Sequence, residues 1–376
     1  MQFVVFGLTV SSSWGNGHAT LWRGLIRALV AAGHRVTFFE RDVPYYASTR
    51  DLHRLDDGAE LVLYPDWDAV APKAVRAIAE ADVAIVTSYC ADGATAAELM
   101  LENAAGATVF YDLDTPVTLA RVGAGERPAY LPERGLADFD LVLSYTGGDA
   151  LAQLRTVLGA PRVAPLYGHV DPARHAPGAR AASFAGDLSY LGTYAADRQA
   201  RLDALFIAPA RLRPALRFVL GGSGYPQGFP WTSNIYFVAH LPPADHPAFF
   251  ASTRLTLNVT RRDMAALGRC PSGRLFEAAA CGAPIVSDDW DGIDEFFEPG
   301  REILIARDTD DVLAALDLDE RALAAIGAAA RERVLAQHTS ARRADELVAL
   351  LAGLGVGSAG CRRRGIGGDR GLACGA

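Results

Sequence analysis

The sequence predicts an α/β protein made of two doubly wound parallel-sheet domains in series, and three observations lead there. Short apolar runs rich in Val, Ile, Leu and Phe alternate with longer helical patterns from the N-terminus onward. The alternation breaks once, around residues 160–185, where Pro161, Pro165, Pro172, Pro177 and Gly178 punctuate a stretch with little periodicity. It then restarts. A chain of 376 residues, half of them hydrophobic, is long enough for two domains with full cores.

In the first half, apolar runs at 3–6, 35–39, 61–63, 83–86, 108–111 and 141–143 read as strands. Their brevity and continuous hydrophobicity suit strands covered by helices on both faces. Between the first two, Leu21, Leu25, Leu29 and Val30 share one helical stripe, and Gly33 ends it as a C′ residue. Residues 69–81 and 94–104 are Ala-rich helical stretches. The second half repeats the scheme. Strands are predicted at 188–191, 217–220, 235–238, 255–259, 285–287 and 303–305, with helices at 197–207, 246–252 and 274–281. Two long helices, about 319–337 and 340–352, close the pattern. From 353 on, nine of the last 24 residues are Gly and Arg362–Arg364 stand together, so a disordered tail is expected. The implied division is 1–170, 171–338, a helix at 339–352 and the tail.

Composition excludes several classes. With 44 acidic and 36 basic residues and a net charge of −8, broad nucleic-acid binding is not expected. No apolar run reaches the roughly 18 residues of a membrane span. The run from Phe3 to Leu8 has no basic stretch before it and reads as a first strand, not a signal peptide. Cys90, Cys270, Cys281, Cys361 and Cys374 are scattered without a C-x-x-C, which suggests reduced thiols in a cytoplasm and no structural metal.

Ligands of open α/β sheets bind beyond the strand C-termini, so the loops after strands carry the candidates. The first is GLTVSSSWGNGH, residues 7–18. Gly15 and Gly17 allow close backbone approach, and the following helix offers free N–H groups. His18 at its mouth reads either as a general base toward an acceptor hydroxyl or as a residue filling the turn. Asp112 and Asp114 alternate to one side of a strand end. One of them would orient His18, and one would cap the next segment with Thr115 and Pro116. Their D-x-D spelling is weak evidence for a metal. Glu40 is a weak match for a ribose-binding acid, and the turn Ser144–Gly148 reads equally as site or as chain geometry.

In the second half, Gly192 and Gly222 mark Gly-rich strand exits, and Arg198 stands near a helix start where it would pair with phosphate. The most informative stretch runs from Arg269 to Pro284. Its Pro–Ser–Gly turn opens a helix carrying Arg274 and Glu277 three apart on one face. A diphosphate at that N-terminus would meet free amides, Ser272, Gly273 and Arg274, while Glu277 would accept from ribose hydroxyls. The alternative is an exposed ion pair of little energetic weight.

Taken together, these stretches resemble a known family. "YLGTYAADR", "PLYGHVDPARHAP", "GRLFEAAACGAPIVSD" and "ERVLAQHTSARRADELVALL" are similar to the C-terminal domain of group 1 glycosyltransferases. "SSSWGNGHATLWRGLIRALVAAGHRVTFFERDVPYY" and "VFYDLDTPVTLAR" resemble the CgeB-type, spore-maturation-like glycosyltransferases. The resemblance spans about residues 1–350. It implies the GT-B fold: two Rossmann-like domains facing across a cleft, with a last helix crossing back to the first. It implies Glu277 on the ribose, and Ser272, Arg274 and Arg198 near the diphosphate. It also implies a nucleotide-sugar donor as co-substrate, with no cofactor and no metal, and a saccharide, lipid-linked or protein acceptor. The chain departs from the pattern at Arg269, where many relatives carry a second Glu, and at Thr193, where a basic residue is common. The rival readings are a sugar-nucleotide epimerase and a non-catalytic nucleotide-sugar-binding protein on the same fold.

Overall fold

The computed structural model describes residues 1–56 and 58–356. The predicted tail therefore falls, from residue 357 on, outside the described residues, as do Cys361 and Cys374. The described part divides into two compact units. One comprises Met1–Ser12, Leu25–Leu166 and the final helix from Arg343; the other comprises Ser13–Gly24 and Tyr167–Arg342.

The first unit holds seven parallel strands: β1 Gln2–Gly7, β2 Arg35–Arg41, β3 Ala59–Tyr64, β4 Val83–Thr87, β5 Ala107–Asp112, β6 Leu141–Ser144 and β7 Val163–Pro165. Their order is β3-β2-β1-β4-β5-β6-β7. The second unit holds β8 Gly186–Leu191, β9 Phe218–Gly222, β10 Ile235–Ala239, β11 Thr253–Asn258, β12 Ile285–Asp288 and β13 Leu304–Ala306, in the order β10-β9-β8-β11-β12-β13. Every pairing is parallel, with Phe6 opposite Val86 in the first sheet and Leu257 opposite Tyr190 in the second. In each sheet the order reverses once, at β1/β4 and at β8/β11. That crevice is where doubly wound sheets bind ligands.

Continuous hydrophobicity makes the central strands double-faced: all five residues of β4, VAIVT, are buried. The helices cover them through single stripes. In Trp67–Glu80, Asp66 caps the start by accepting from the Ala69 amide at 2.9 Å, and Val70, Ala74 and Ile78 form the buried stripe. Burying the Val and Ile side chains contributes about 1.5–3 kcal/mol each.

Two local predictions need correction. β7 has only three residues and contains a proline, so it gives no periodic signal; it sits at the sheet edge, where proline is tolerated. The helix expected at 197–207 is instead a 3₁₀ turn, Ala196–Arg198, a short α segment, and a π-helical turn, Asp203–Ile207, before Ala208–Leu212. Pro209 has no N–H to offer the preceding turn, which accounts for the widened ladder there. Cys90, Cys270 and Cys281 are free and buried. Among the described residues no helix is long and apolar enough to cross a membrane.

Candidate functional site

The second unit gathers its candidates at the β8/β11 crevice. Ser272 precedes the helix Gly273–Ala280 in extended conformation, and its hydroxyl makes no cap hydrogen bond. The first amides of this eight-residue helix and the Ser272 hydroxyl therefore remain available to a ligand. From the first turn, Arg274 reaches both strands that flank the reversal. Its Nη1 donates to Asn258 Oδ1, at the end of β11, over 3.0 Å. Its Nη2 stands beside Gly192, just past β8, where a Cβ would lie 3.0 Å away. The guanidinium also sits 5.3 Å from the centre of the buried Tyr190 ring.

Arg198 joins it. Nη1 of Arg198 donates to the Thr193 carbonyl at 3.0 Å, so Arg198 closes the loop after β8. Neither Arg198 nor Arg274 has a carboxylate within ion-pair distance among the described residues, and the Nε of each lacks a partner. Burial, with a contribution from Arg198, pushes Arg274 below the usual guanidinium range. Two guanidiniums without an ion-paired carboxylate are costly when partly buried; Glu277 offsets part of this for Arg274, and a dianion beside them would relieve the rest.

The glycines have a structural reason. Gly222 adopts φ 145°, and a Cβ there would fall 2.0 Å from the Gly192 carbonyl oxygen. The exits of β8 and β9 thus press backbone to backbone, fastened by Gly192 N–H to Gly221 O at 2.9 Å and by the Tyr225 hydroxyl to Gly192 O at 2.9 Å. At the first loop, Gly15 is left-handed at φ 68°, whereas a Cβ on Gly17 would meet nothing within 4 Å. Asn16 supplies the cap, accepting from the Ala19 amide at 3.2 Å. His18, the first residue of the helix His18–Ala31, is partly buried. Trp14, in the same loop, stacks against His240 with ring centroids 3.9 Å apart.

Glu277 does not face bulk solvent; its side chain is 14% exposed. Oε2 lies 3.3 Å from His246 Nδ1, and Oε1 lies 3.9 Å from His175 Nε2. Burial alone would raise its pKa, but the two histidines and Arg274 outweigh that and hold the carboxyl at about 2. Arg269 is occupied elsewhere: its Nε donates to Glu295 at 2.7 Å and its Nη1 to Asp291 at 2.6 Å.

In the first unit the strand exits bury acids. Glu40, fully buried at the end of β2, accepts from Thr9 Oγ1, Val10 N, Ser11 N and Ser11 Oγ at 2.5–2.9 Å. It holds the loop after β1 and has the bonds of a structural clamp. Asp112, also fully buried, accepts at Oδ1 from the Asp114 amide and the Thr118 hydroxyl, both at 3.1 Å. Its Oδ2 has no partner among the described residues, and burial raises its pKa to about 6. Asp114 takes the N-cap position of the helix Thr115–Gly123 without a side-chain cap bond. Tyr89, just after β4, is held at φ 62°, uncommon for an aromatic residue and at home near functional sites. His18 groups with the second unit, and Asp112 and Asp114 with the first.

Sequence reasoning missed Asn258, Tyr190, Tyr225, His175 and His246. Asn258 closes an apolar strand, and an amide at a strand exit was a usable signal. The two histidines carry none, because each sits in an ordinary Pro-rich stretch.

With this geometry in view, comparisons place the architecture. Residues 198–349 match a family model described as glycosyl transferase-like. No curated protein matches the chain significantly. Among solved structures, sucrose-phosphate synthase from Thermosynechococcus elongatus is similar with a TM-score of 0.71 and 16% identity, over 95% of this chain and 100% of that one. HepE of Anabaena, solved with UDP and glucose, aligns with a TM-score of 0.65 and 12% identity, over 94% and 100% of the two chains. AviGT4, a glycosyltransferase of avilamycin A biosynthesis, gives 0.61 and 17%, over 94% and 98%. At these identities the likeness shows the fold: two parallel-sheet Rossmann-like domains of the GT-B kind.

Proposed function

We propose that the protein is a glycosyltransferase that moves a sugar from a nucleotide-diphosphate sugar to an acceptor hydroxyl. The observation that carries this reading is Arg274, joined by Arg198, neither of them ion-paired to a carboxylate among the described residues, at the mouth of β8 and β11 beside an uncapped helix start. In this reading the diphosphate lies against the Ser272 hydroxyl, the amides from Gly273 on and the two guanidiniums, close to Gly192 and Gly222. Glu277 accepts from the ribose. As the glycosidic bond breaks, negative charge grows on the leaving diphosphate, and fixed guanidiniums and amides stabilise that charge without reorganising. These groups supply the positive charge at the leaving group, so no cofactor is invoked for the transfer. His18 accepts the proton of the acceptor hydroxyl. The complexes of HepE with UDP and UDP-glucose make UDP the first base to test. The N-terminal half of the chain is taken to be of the CgeB-type kind, on its SSSWGNGH and YDLDTP segments.

Calorimetric titration with UDP, GDP and dTDP tests the donor site, and incubation with UDP-glucose tests turnover through hydrolysis or transfer. Binding of one diphosphate that is lost in Arg274→Ala, and turnover that is lost in His18→Ala while binding persists, are the expected results. If all three diphosphates fail to bind, the donor reading falls; if His18→Ala turns over normally, the base assignment falls. An isomerised sugar on incubation of donor alone would turn the reading toward an epimerase.

A further inference from the structure

Glu277 meets two buried histidines brought from distant parts of the second unit. His175 lies in the stretch before β8, and His246 begins the helix His246–Ser252. Two ring nitrogens and both carboxylate oxygens converge: His175 Nε2 to His246 Nδ1 is 3.4 Å, His246 Nδ1 to Glu277 Oε2 is 3.3 Å, and His175 Nε2 to Glu277 Oε1 is 3.9 Å.

Hydrogen bonding explains this trio poorly. Good N–H···O bonds are about 2.7–3.2 Å long, and all three separations exceed that. His246 Nδ1 has at most one proton to give, yet it faces two neighbours. His175 is buried, its Nδ1 has no partner among the described residues, and its Nε2 has only the long contacts. A tetrahedral metal site accounts for the spacing better. With metal–ligand bonds of about 2.0–2.1 Å, ligand atoms stand about 3.3–3.4 Å apart. Two of the observed separations, 3.4 and 3.3 Å, have that length, and one ligand atom from each of the three residues lies within 4.8 Å of the others.

We propose that His175 Nε2, His246 Nδ1 and the Glu277 carboxylate bind one divalent transition-metal ion of the zinc class, with a fourth position left open. Two imidazoles and one carboxylate suit zinc and its neighbours rather than magnesium or calcium. Nδ1 of His175 finds no acceptor, and a missing outer partner of this kind costs roughly 10–100-fold in affinity. The site is therefore weaker than one whose histidines both have an outer partner. The departure from the sequence expectation of a metal-free chain arises because His175 and His246 are 71 residues apart. The site does not depend on the donor reading; if both hold, zinc and nucleotide share Glu277 and each changes the other's affinity.

The test uses the full chain stripped with a chelator and titrated with zinc chloride alone. One zinc per chain is expected, and cobalt(II) in its place should give the intense visible absorption of a tetrahedral site. His175→Ala and His246→Ala should each weaken zinc binding by more than the roughly 10–100-fold of a lost outer-shell contact, with melting curves confirming that the variants fold. Anomalous diffraction from zinc-soaked crystals of the unaltered chain locates the ion without any variant. Absence of micromolar zinc binding, undiminished binding in folded His246→Ala, or an anomalous peak away from the trio each overturns the proposal. UDP titrated with chelator present reports separately on the donor reading.

Discussion

The two sheets share one topology and carry opposite chemistry at their strand exits. In the first unit, Glu40 and Asp112 are fully buried carboxyls facing loop amides and hydroxyls. In the second, Arg198 and Arg274 bring two guanidiniums to the equivalent crevice, neither ion-paired to a carboxylate among the described residues. The fold is thus indifferent to charge, and the residues at the strand ends decide what each crevice holds. An anion is favoured beside β8 and β11. The first unit is suited to holding a loop rigid.

Four changes would break or sharpen this contrast. Glu40→Ala should have the largest effect. It strips the acceptor from two buried amides and two hydroxyls, at about 1–3 kcal/mol per stranded group, for a loss of about 4 kcal/mol in urea unfolding. A loss under about 1 kcal/mol would mean the loop is held by something else. Arg274→Ala should weaken UDP binding by about 3 kcal/mol, roughly a hundredfold by calorimetry, and an unchanged affinity would erase the contrast.

Asp112→Asn tests the buried acid. Its folded pKa, raised by burial to about 6, lies above the ordinary Asp value of about 3.9, so the folded state holds the proton more tightly. Stability from this group is therefore full at low pH and is lost as pH rises from about 4 to above about 6, for a total of about 3 kcal/mol. The Asn variant should melt higher than the parent at pH 7.5, with the gap closing by pH 4; parallel melting curves across that range would refute the assignment. Ser272→Ala should be the mildest. Its hydroxyl makes no cap bond, so stability should hold within about 0.5 kcal/mol while UDP affinity drops by about 1 kcal/mol. A clear drop in melting temperature would instead make Ser272 a structural cap.

Much of this was readable in advance because it is local. All twelve predicted strands are present to within a residue or two, since short continuous apolar runs between helical patterns encode strands buried on both faces. The Pro–Ser–Gly turn before Arg274 likewise announced a helix start with open amides. Glu40 was legible only as a loose ribose-acid candidate, because nothing in the order of residues says that a carboxyl after β2 will clamp the loop after β1. Arg269 was legible as a departure, but its two acid partners, 22 and 26 residues on, were not.

By itself, then, the amino-acid order determined which segments are strands and helices, where the glycine-rich exits lie, and that Ser272, Arg274 and Glu277 share the start of one helix. Periodicity and turn chemistry act over a few residues, and those features need nothing more. Only the tertiary structure decided that Arg274 reaches Asn258 and Gly192, and that His175 and His246 converge on Glu277. Those meetings follow from strand order in a parallel sheet, where crossovers make neighbours of residues that no sequence spacing relates.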